Sequence, residues 1–404
     1  MLYHAYQTYS DSSEPLRAMA RTGLAMGRMF GCVSDTGIGH SLSALLELTA
    51  RSKFTHTRPD YDINPVLVGD EKVEVREEIA LSLPFCDLIR FVKDGVPAQP
   101  KMLVIAPLSG HFATLLRKTV ETLSRDHDVY ITDWKNARDV PVSDGHFGFD
   151  DYVHYIIQCL EAIGPSANVL AVCQPCVQAL AAVAVMAEDR HPAEPRTLTL
   201  MAGPIDTRVN PSAVNELAMS KPIEWFEKNL ISSVPAKFEG AGRKVYPGFI
   251  QLIAFMSMNM DSHTEAHRKL YDHLASGRTE EAEKIKTFYD EYFAVLDLPA
   301  EFYIETVRTV FQEASLAKGE LTYRGRKVNP AAIQRTALLT VEGERDDICS
   351  VGQTAAAHEM CKSLRPHLKR HHLPAGVGHY GTFSGKRWNS QIYPVIRNLV
   401  LAMN

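Results

Sequence analysis

Between residues 101 and 203 short, wholly apolar runs alternate with amphipathic ones, a rhythm that few folds accept. "KMLVI", "HDVYITDW", "NVLAVC" and "RTLTLMAG" have the length and β-rich character of strands buried on both faces. Between them "HFATLLRKTVETLSRD", "FGFDDYVHYIIQCLEAIG" and "VQALAAVAVMAED" read as helices, the second entered through Asp150 or Asp151 as N-cap and stopped by Gly164. Strict β-α alternation covers both faces of a sheet only when helices lie on each side. The expected fold class is therefore α/β, a mostly parallel sheet with helices on both faces.

The rhythm stops after Pro204. From Asp206 to Pro330 the chain is aromatic-rich and helical in pattern ("PIEWFEKNL", "YPGFIQLIAFMSMNM", "FYDEYFAVL"), which predicts an inserted helical cap. Alternation then resumes with strand "RTALLTVEG", helix "GQTAAAHEMCKSL", strand "LKRHHLP" and a final helix "RWNSQIYPVIRNLVLAM". Upstream, Leu16, Met19, Ala20 and Leu24 fall at helical spacing, "HTRPDYDINPV" reads as a linker, and "KVEVREEIALSLPFCDLIRFV" reads as a strand pair. The predicted organisation is an N-terminal helical segment and linker (1–65), the first part of the core (66–205), the cap (206–330) and the second part of the core (331–404).

A net charge of −5 over 404 residues leaves no basic field for nucleic acid or anionic lipid. Seven cysteines (Cys32, Cys86, Cys159, Cys173, Cys176, Cys349 and Cys361) are odd in number and scattered, which suits a reducing cytoplasm better than a disulfide framework. The first residues lack an apolar core of signal-peptide length and no run of 18 apolar residues follows, so the expectation is a soluble, intracellular protein without a membrane span.

Catalytic groups of parallel α/β sheets gather beyond the carboxyl ends of the strands. Here those ends carry "APLSGH" (106–111), "CQPC" (173–176), "GERDD" (343–347) and "GVGHYGTFSG" (376–385), which offer a glycine-containing loop, a thiol, carboxylates and a histidine. Nucleophile, acid, histidine is the chain order of a hydrolase triad on such a sheet. Taken singly, the cysteine fits a small buried hydrophobe, the acids a solvated turn and the histidine a loop cap.

Cys173 follows the apolar strand directly and precedes Gln-Pro, where a turn must lie, whereas the neighbours of Cys176 read as helix interior. That places Cys173 at the elbow and leaves Cys176 structural. The elbow departs from G-x-S-x-G, with Ala171 and Pro175 at the glycine positions. The oxyanion donors would be the amide of Gln174 and one near Leu108 or Ser109. A thioredoxin-like Cys-x-x-Cys reading competes, but that fold is small and leaves the late acid and histidine unused. A zinc site lacks a second ligand pair, since His371 and His372 are adjacent in a predicted strand and diverge.

"APLSGHFATLLR", "VYITDW", "VCQP", "GPIDTR", "VYPGFIQ", "FYDEY", "TVEGERDDI", "GQTAAAH" and "GHYGTFSGKRW" together resemble the intracellular poly(3-hydroxybutyrate) depolymerases, an α/β-hydrolase family, along the whole chain. The resemblance implies Cys173 as nucleophile, Asp346 as the acid and His379 as the histidine. It also implies hydrolysis of amorphous polyester through an acyl-cysteine, cytoplasmic location on polyhydroxybutyrate granules, and the polymer as partner. No metal or organic cofactor is implied, with coenzyme A entering only as an acyl acceptor. Polyhydroxyalkanoate synthases are similar but carry a G-x-C-x-G elbow that this chain lacks. A granule-associated protein without activity is the remaining alternative, though it would have no use for a triad.

Overall fold

The chain, seen in a computed structural model, is described over residues 2–30, 37–258 and 260–404; Cys32 lies outside the described residues. Eight strands form one sheet: β1 (Arg76–Leu83), β2 (Cys86–Val92), β3 (Lys101–Ile105), β4 (Asp128–Trp134), β5 (Asn168–Val172), β6 (Thr197–Met201), β7 (Ala337–Val341) and β8 (Lys369–His372). Their order across the sheet is β8-β7-β6-β5-β3-β4-β2-β1. β2 runs antiparallel to both its neighbours, and every pairing from β4 through to β8 is parallel. This is the sheet of the α/β-hydrolase fold.

The central strands are the apolar runs of the sequence, and β5, β6 and β7 are buried at every position. They have no solvent face because helices lie on both sides. Long helices are α1 (Leu2–Phe30), α2 (Gly37–Arg51), α3 (Phe149–Ile163), α4 (Cys176–Glu188), α5 (Gly248–Met258), α6 (Met260–Ala275), α7 (Thr279–Tyr292) and α8 (Tyr393–Met403). Alanine dominates α4, which is buried from Cys176 to Met186, and small side chains let it lie close to the sheet and α3. Among the described residues no helix is long and apolar enough to cross a membrane.

Four local expectations need correction. The N-cap of α3 is Gly148, not Asp150 or Asp151; Asp151 acts from the first turn, accepting the Gly148 amide at 2.8 Å, and Gly164 ends the helix at φ +83° as expected. "GQTAAAHEMCKSL" is helical only over Ala357–Met360, because the amides of Gly352, Thr354 and Ala355 donate to the buried Glu342 carboxylate instead. The final helix opens with a wide π turn (Trp388–Ile392), since Pro394 lacks the amide an α turn would use. Leu16 and Met19 of α1 face solvent, and the packed face carries Tyr3, Arg17 and Ala20.

Between β6 and β7 the chain leaves the sheet and builds α5, α6 and α7 above it. Leu252, Tyr289, Tyr292 and Val295 form a small core there. The N-terminal arm closes on the base of this insertion. The Tyr3 hydroxyl donates to Asp297 at 2.6 Å, and Thr55 exchanges backbone hydrogen bonds with Phe293 and Val295 (2.9 and 2.8 Å).

Candidate active site

β5 ends at Val172, and the next residue, Cys173, adopts φ +67°. A side chain pays roughly 1–2 kcal/mol for the left-handed region, so tertiary contacts must hold it there. Two do so on its backbone: the Cys173 amide donates to Met201 O at 2.8 Å, and its carbonyl accepts the Cys176 amide at 3.2 Å. Pro175 then enters α4 at φ −71°. The thiol thus stands above the end of β5 in front of a helix N-terminus, whose amide dipoles favour negative charge.

The glycines that such a turn normally carries are absent, and Gly203 in the loop after β6 does their work. A Cβ built there would sit inside contact distance of Cys176 Cβ and Sγ and 2.8 Å from the Cys173 carbonyl oxygen. Only a residue without a side chain leaves room for the turn. Cys176 is fully buried, its thiol aimed at Ala171 O (3.4 Å) and Met201 O (3.6 Å), and burial pushes it well above the ordinary thiol value. It packs beneath the turn and does not line the site.

His379 lies in the loop after β8, in a single 3-10 turn. Its Nδ1 is 2.8 and 3.0 Å from the two Asp346 carboxylate oxygens. Asp346 Oδ1 accepts in addition the amides of Ile348 (2.9 Å) and Cys349 (2.8 Å), which fix the carboxylate. With the Nδ1 proton directed to Asp346, Nε2 is the ring nitrogen left to exchange a proton with a nucleophile. Burial disfavours the charged ring, but the Cys173 thiolate and the Asp346 carboxylate outweigh it and hold His379 well above its ordinary value.

The expected oxyanion segment follows β3, which neighbours β5. In their shared register Ile105 lies opposite Ala171, so Leu108 and Cys173 both emerge just past the same edge. Leu108 is buried and Ser109 half-buried. The insertion grips the end of this loop: Gly110 O accepts the Leu296 amide at 2.9 Å, and His111 bridges to Val295. The His111 ring, packed on Tyr292 and Phe255, reaches Tyr292 O at 3.2 Å, and burial lowers it to about 4. Gln174 is largely buried, and its side-chain amide has no hydrogen-bond partner among the described residues.

Three contributors went unnoticed in the sequence. Glu342, wholly buried, holds the loop that follows Asp346 through three amides; its only sign was a lone acid closing the apolar run "ALLTV". Tyr380 stands edge-on to His379 with ring centroids 5.8 Å apart. Gly203 stood as the first residue of "GPIDTR", with nothing there to tie it to the Cys173 turn.

Residues 202–404, half of the chain, match the family described as "PHB de-polymerase C-terminus". The chain belongs to the PHB depolymerase family. The match includes both Asp346 and His379, whereas Cys173 precedes it. No curated protein matches this PHB depolymerase family member. Its structure is similar to a monoacylglycerol lipase from Paleococcus ferrophilus (14% identity over 83% of this chain and 100% of that one, TM-score 0.45). It is similar also to 2-hydroxy-6-oxo-6-phenylhexa-2,4-dienoate hydrolase from Rhodococcus sp. strain RHA1 (11%, 81% and 99%, 0.45). A third is a meta-cleavage product hydrolase from Pseudomonas fluorescens IP01 (15%, 81% and 99%, 0.43). Likenesses of this size add nothing to the fold already given by the strand order.

Proposed function

We propose that this chain is an intracellular depolymerase that cleaves the ester bonds of amorphous poly(3-hydroxybutyrate) through an acyl-cysteine, working in the cytoplasm on granule surfaces. The observation that carries the reading is His379 hydrogen-bonded to Asp346, its proton affinity raised by a cysteine in the left-handed turn after β5, in a chain of the PHB depolymerase family.

In this reading the Cys173 thiolate attacks the ester carbonyl and the carbon becomes tetrahedral. The negative oxygen is received by the amides of Gln174 and of the Leu108–Ser109 turn. Collapse breaks the carbon–oxygen bond, and the His379 proton goes to the departing hydroxyl oxygen, with Asp346 keeping the ring oriented. Water, deprotonated by His379, then attacks the thioester and frees a 3-hydroxyacid while the thiol is restored. Because a thioester is the more activated acyl donor, coenzyme A is proposed as an alternative acceptor, its thiol giving an acyl-CoA. The chemistry calls for no metal, since base, nucleophile and oxyanion donors all belong to the chain.

The test is release of 3-hydroxybutyrate species from amorphous granules by wild type, Cys173→Ala and Cys176→Ala. The proposal expects activity in wild type and Cys176→Ala and none in Cys173→Ala. A wild type that releases nothing, or a Cys176→Ala protein as inactive as Cys173→Ala, overturns it. Adding coenzyme A and finding no acyl-CoA removes the thiolysis branch alone.

A further inference from the structure

A cavity of about 1010 Å³ lies away from the Cys173 turn, walled by α1 and α2 on one side and by α5, α6 and α7 on the other. Its size is that of a site for a sizeable organic ligand. The apolar part of the lining is Phe54 with Ile253, Met256, Leu270, Tyr289 and Phe293.

The rest of the lining is largely cationic. Among the described residues Arg17, Arg21, Arg51, Lys53 and Lys286 line the cavity, against Glu47 and Asp290. Glu47 and Asp290 serve Arg51 and Lys286, with Glu283 reaching Lys286 from outside the lining. Arg17, Arg21 and Lys53 instead converge on a single carboxylate, Glu14, at 3.0, 2.5 and 3.9 Å. Among the described residues three cations around one acid leave an excess of two positive charges at that end, in a chain whose own net charge is −5. Arg17 is buried and committed to Ser10 O and Ser13 Oγ, so the two half-exposed cations, Arg21 and Lys53, are the ones that face a ligand.

We infer that this cavity binds the acid end of a linear hydroxyalkanoate oligomer, its carboxylate between Arg21 and Lys53 and its ester-linked aliphatic chain along the Phe54–Ile253–Phe293 wall. The occupant is chosen by charge complementarity and by position. α7 is a shared wall: Tyr292 packs on His111 of the loop after β3, while Tyr289 and Phe293 face the cavity. Each ester cleaved beyond that wall frees one new carboxylate on one fragment. The choice of oligomer rests on the depolymerase reading; the cationic and apolar halves of the cavity do not.

The experiment uses the full chain as Cys173→Ala, so that nothing is turned over, and measures calorimetric binding of the linear 3-hydroxybutyrate trimer, its methyl ester and dodecanoate. The free acid is expected to bind at least tenfold more tightly than the methyl ester. Arg21→Ala/Lys53→Ala and, on the opposite wall, Ile253→Asp are each expected to weaken it at least tenfold with circular dichroism unchanged. Wild type alkylated at Cys173 is expected to bind the trimer like the Cys173→Ala chain. Equal binding of acid and ester, indifference to both variants, or loss of binding on alkylation overturns the inference. So does dodecanoate binding as tightly as the trimer, which makes this a lipid site. Granule release by wild type, run in parallel, reports separately on the depolymerase reading.

Discussion

Replacing Gly203 by alanine tests how the Cys173 turn is held. The added Cβ would overlap Cys176 Cβ and Sγ and lie 2.8 Å from the Cys173 carbonyl oxygen, where real Cβ contacts start above 3.0 Å. Neither neighbour yields cheaply: the carbonyl is fixed by the Cys176 amide, and Cys176 opens a helix packed on the sheet. The turn must therefore shift by several tenths of an ångström at Cys173 and by more at Cys176. Overpacking of this kind costs about 1–3 kcal/mol of stability. Misplacing a reacting atom by ~1 Å costs about 10²-fold in rate, so a smaller shift is expected to slow the enzyme roughly 10-fold to 100-fold. The assay is the rate of Cys173 alkylation by iodoacetamide, resolved from Cys176 by peptide mass spectrometry, together with granule release and urea unfolding. Cys176→Gly removes two of the three overlapping atoms, so the Gly203→Ala/Cys176→Gly chain should regain part of the loss, a coupling that independent sites would not show. Gly203→Ala with wild-type alkylation and release rates would refute the claim that this glycine makes room for the turn.

Asp346→Asn should lower turnover about 10³-fold to 10⁴-fold in granule-release kinetics with the fold intact, because an amide leaves the His379 tautomer unspecified; a loss below tenfold contradicts the assigned role. Glu342→Gln should cost about 1.5–3 kcal/mol in urea unfolding, since three amides lose a charged acceptor; an unchanged midpoint contradicts that. Burial lowers His56 to about 3 and His111 and His127 to about 4, so each stabilises the fold above about pH 6.5 and loses that contribution as pH falls. Burial raises Asp133 and Asp297 to about 6, so their contribution is greatest below about pH 4 and is lost as pH rises toward 6. His154, His263, His358 and His372 are lowered as well, against the raised Asp139, Glu291 and Glu305, so the histidines outnumber the acids and stability is expected to fall between pH 6 and 4; unfolding free energies that rise on acidification contradict this balance.

Where period and burial coincide, the sequence was sufficient. "NVLAV" and "TLTLM" are strands because nothing in them tolerates water, and Cys173 could be told from Cys176 by where the strand must stop. The choice of Asp346 among the three acids of "GERDD" needed family resemblance, since no local pattern tells the residue that meets His379 from its solvated neighbours. Gly203, Glu342 and the grip of Leu296 on Gly110 act across the fold, between segments far apart in the chain, so no short-range pattern announces them. The same reason accounts for Leu16 and Met19, whose helical spacing was legible while the side of α1 that packs was not.

The bond between Tyr3 and Asp297 joins residues 294 positions apart. A chain made at 5–20 residues per second exposes Tyr3 about 15–60 s before Asp297 exists. Through that interval α1 can pack on α2 and, once it is made, on Phe249, but the bond that ties its first turn to Asp297 is missing. The last anchor of α1 is therefore supplied long after α1 itself has been made.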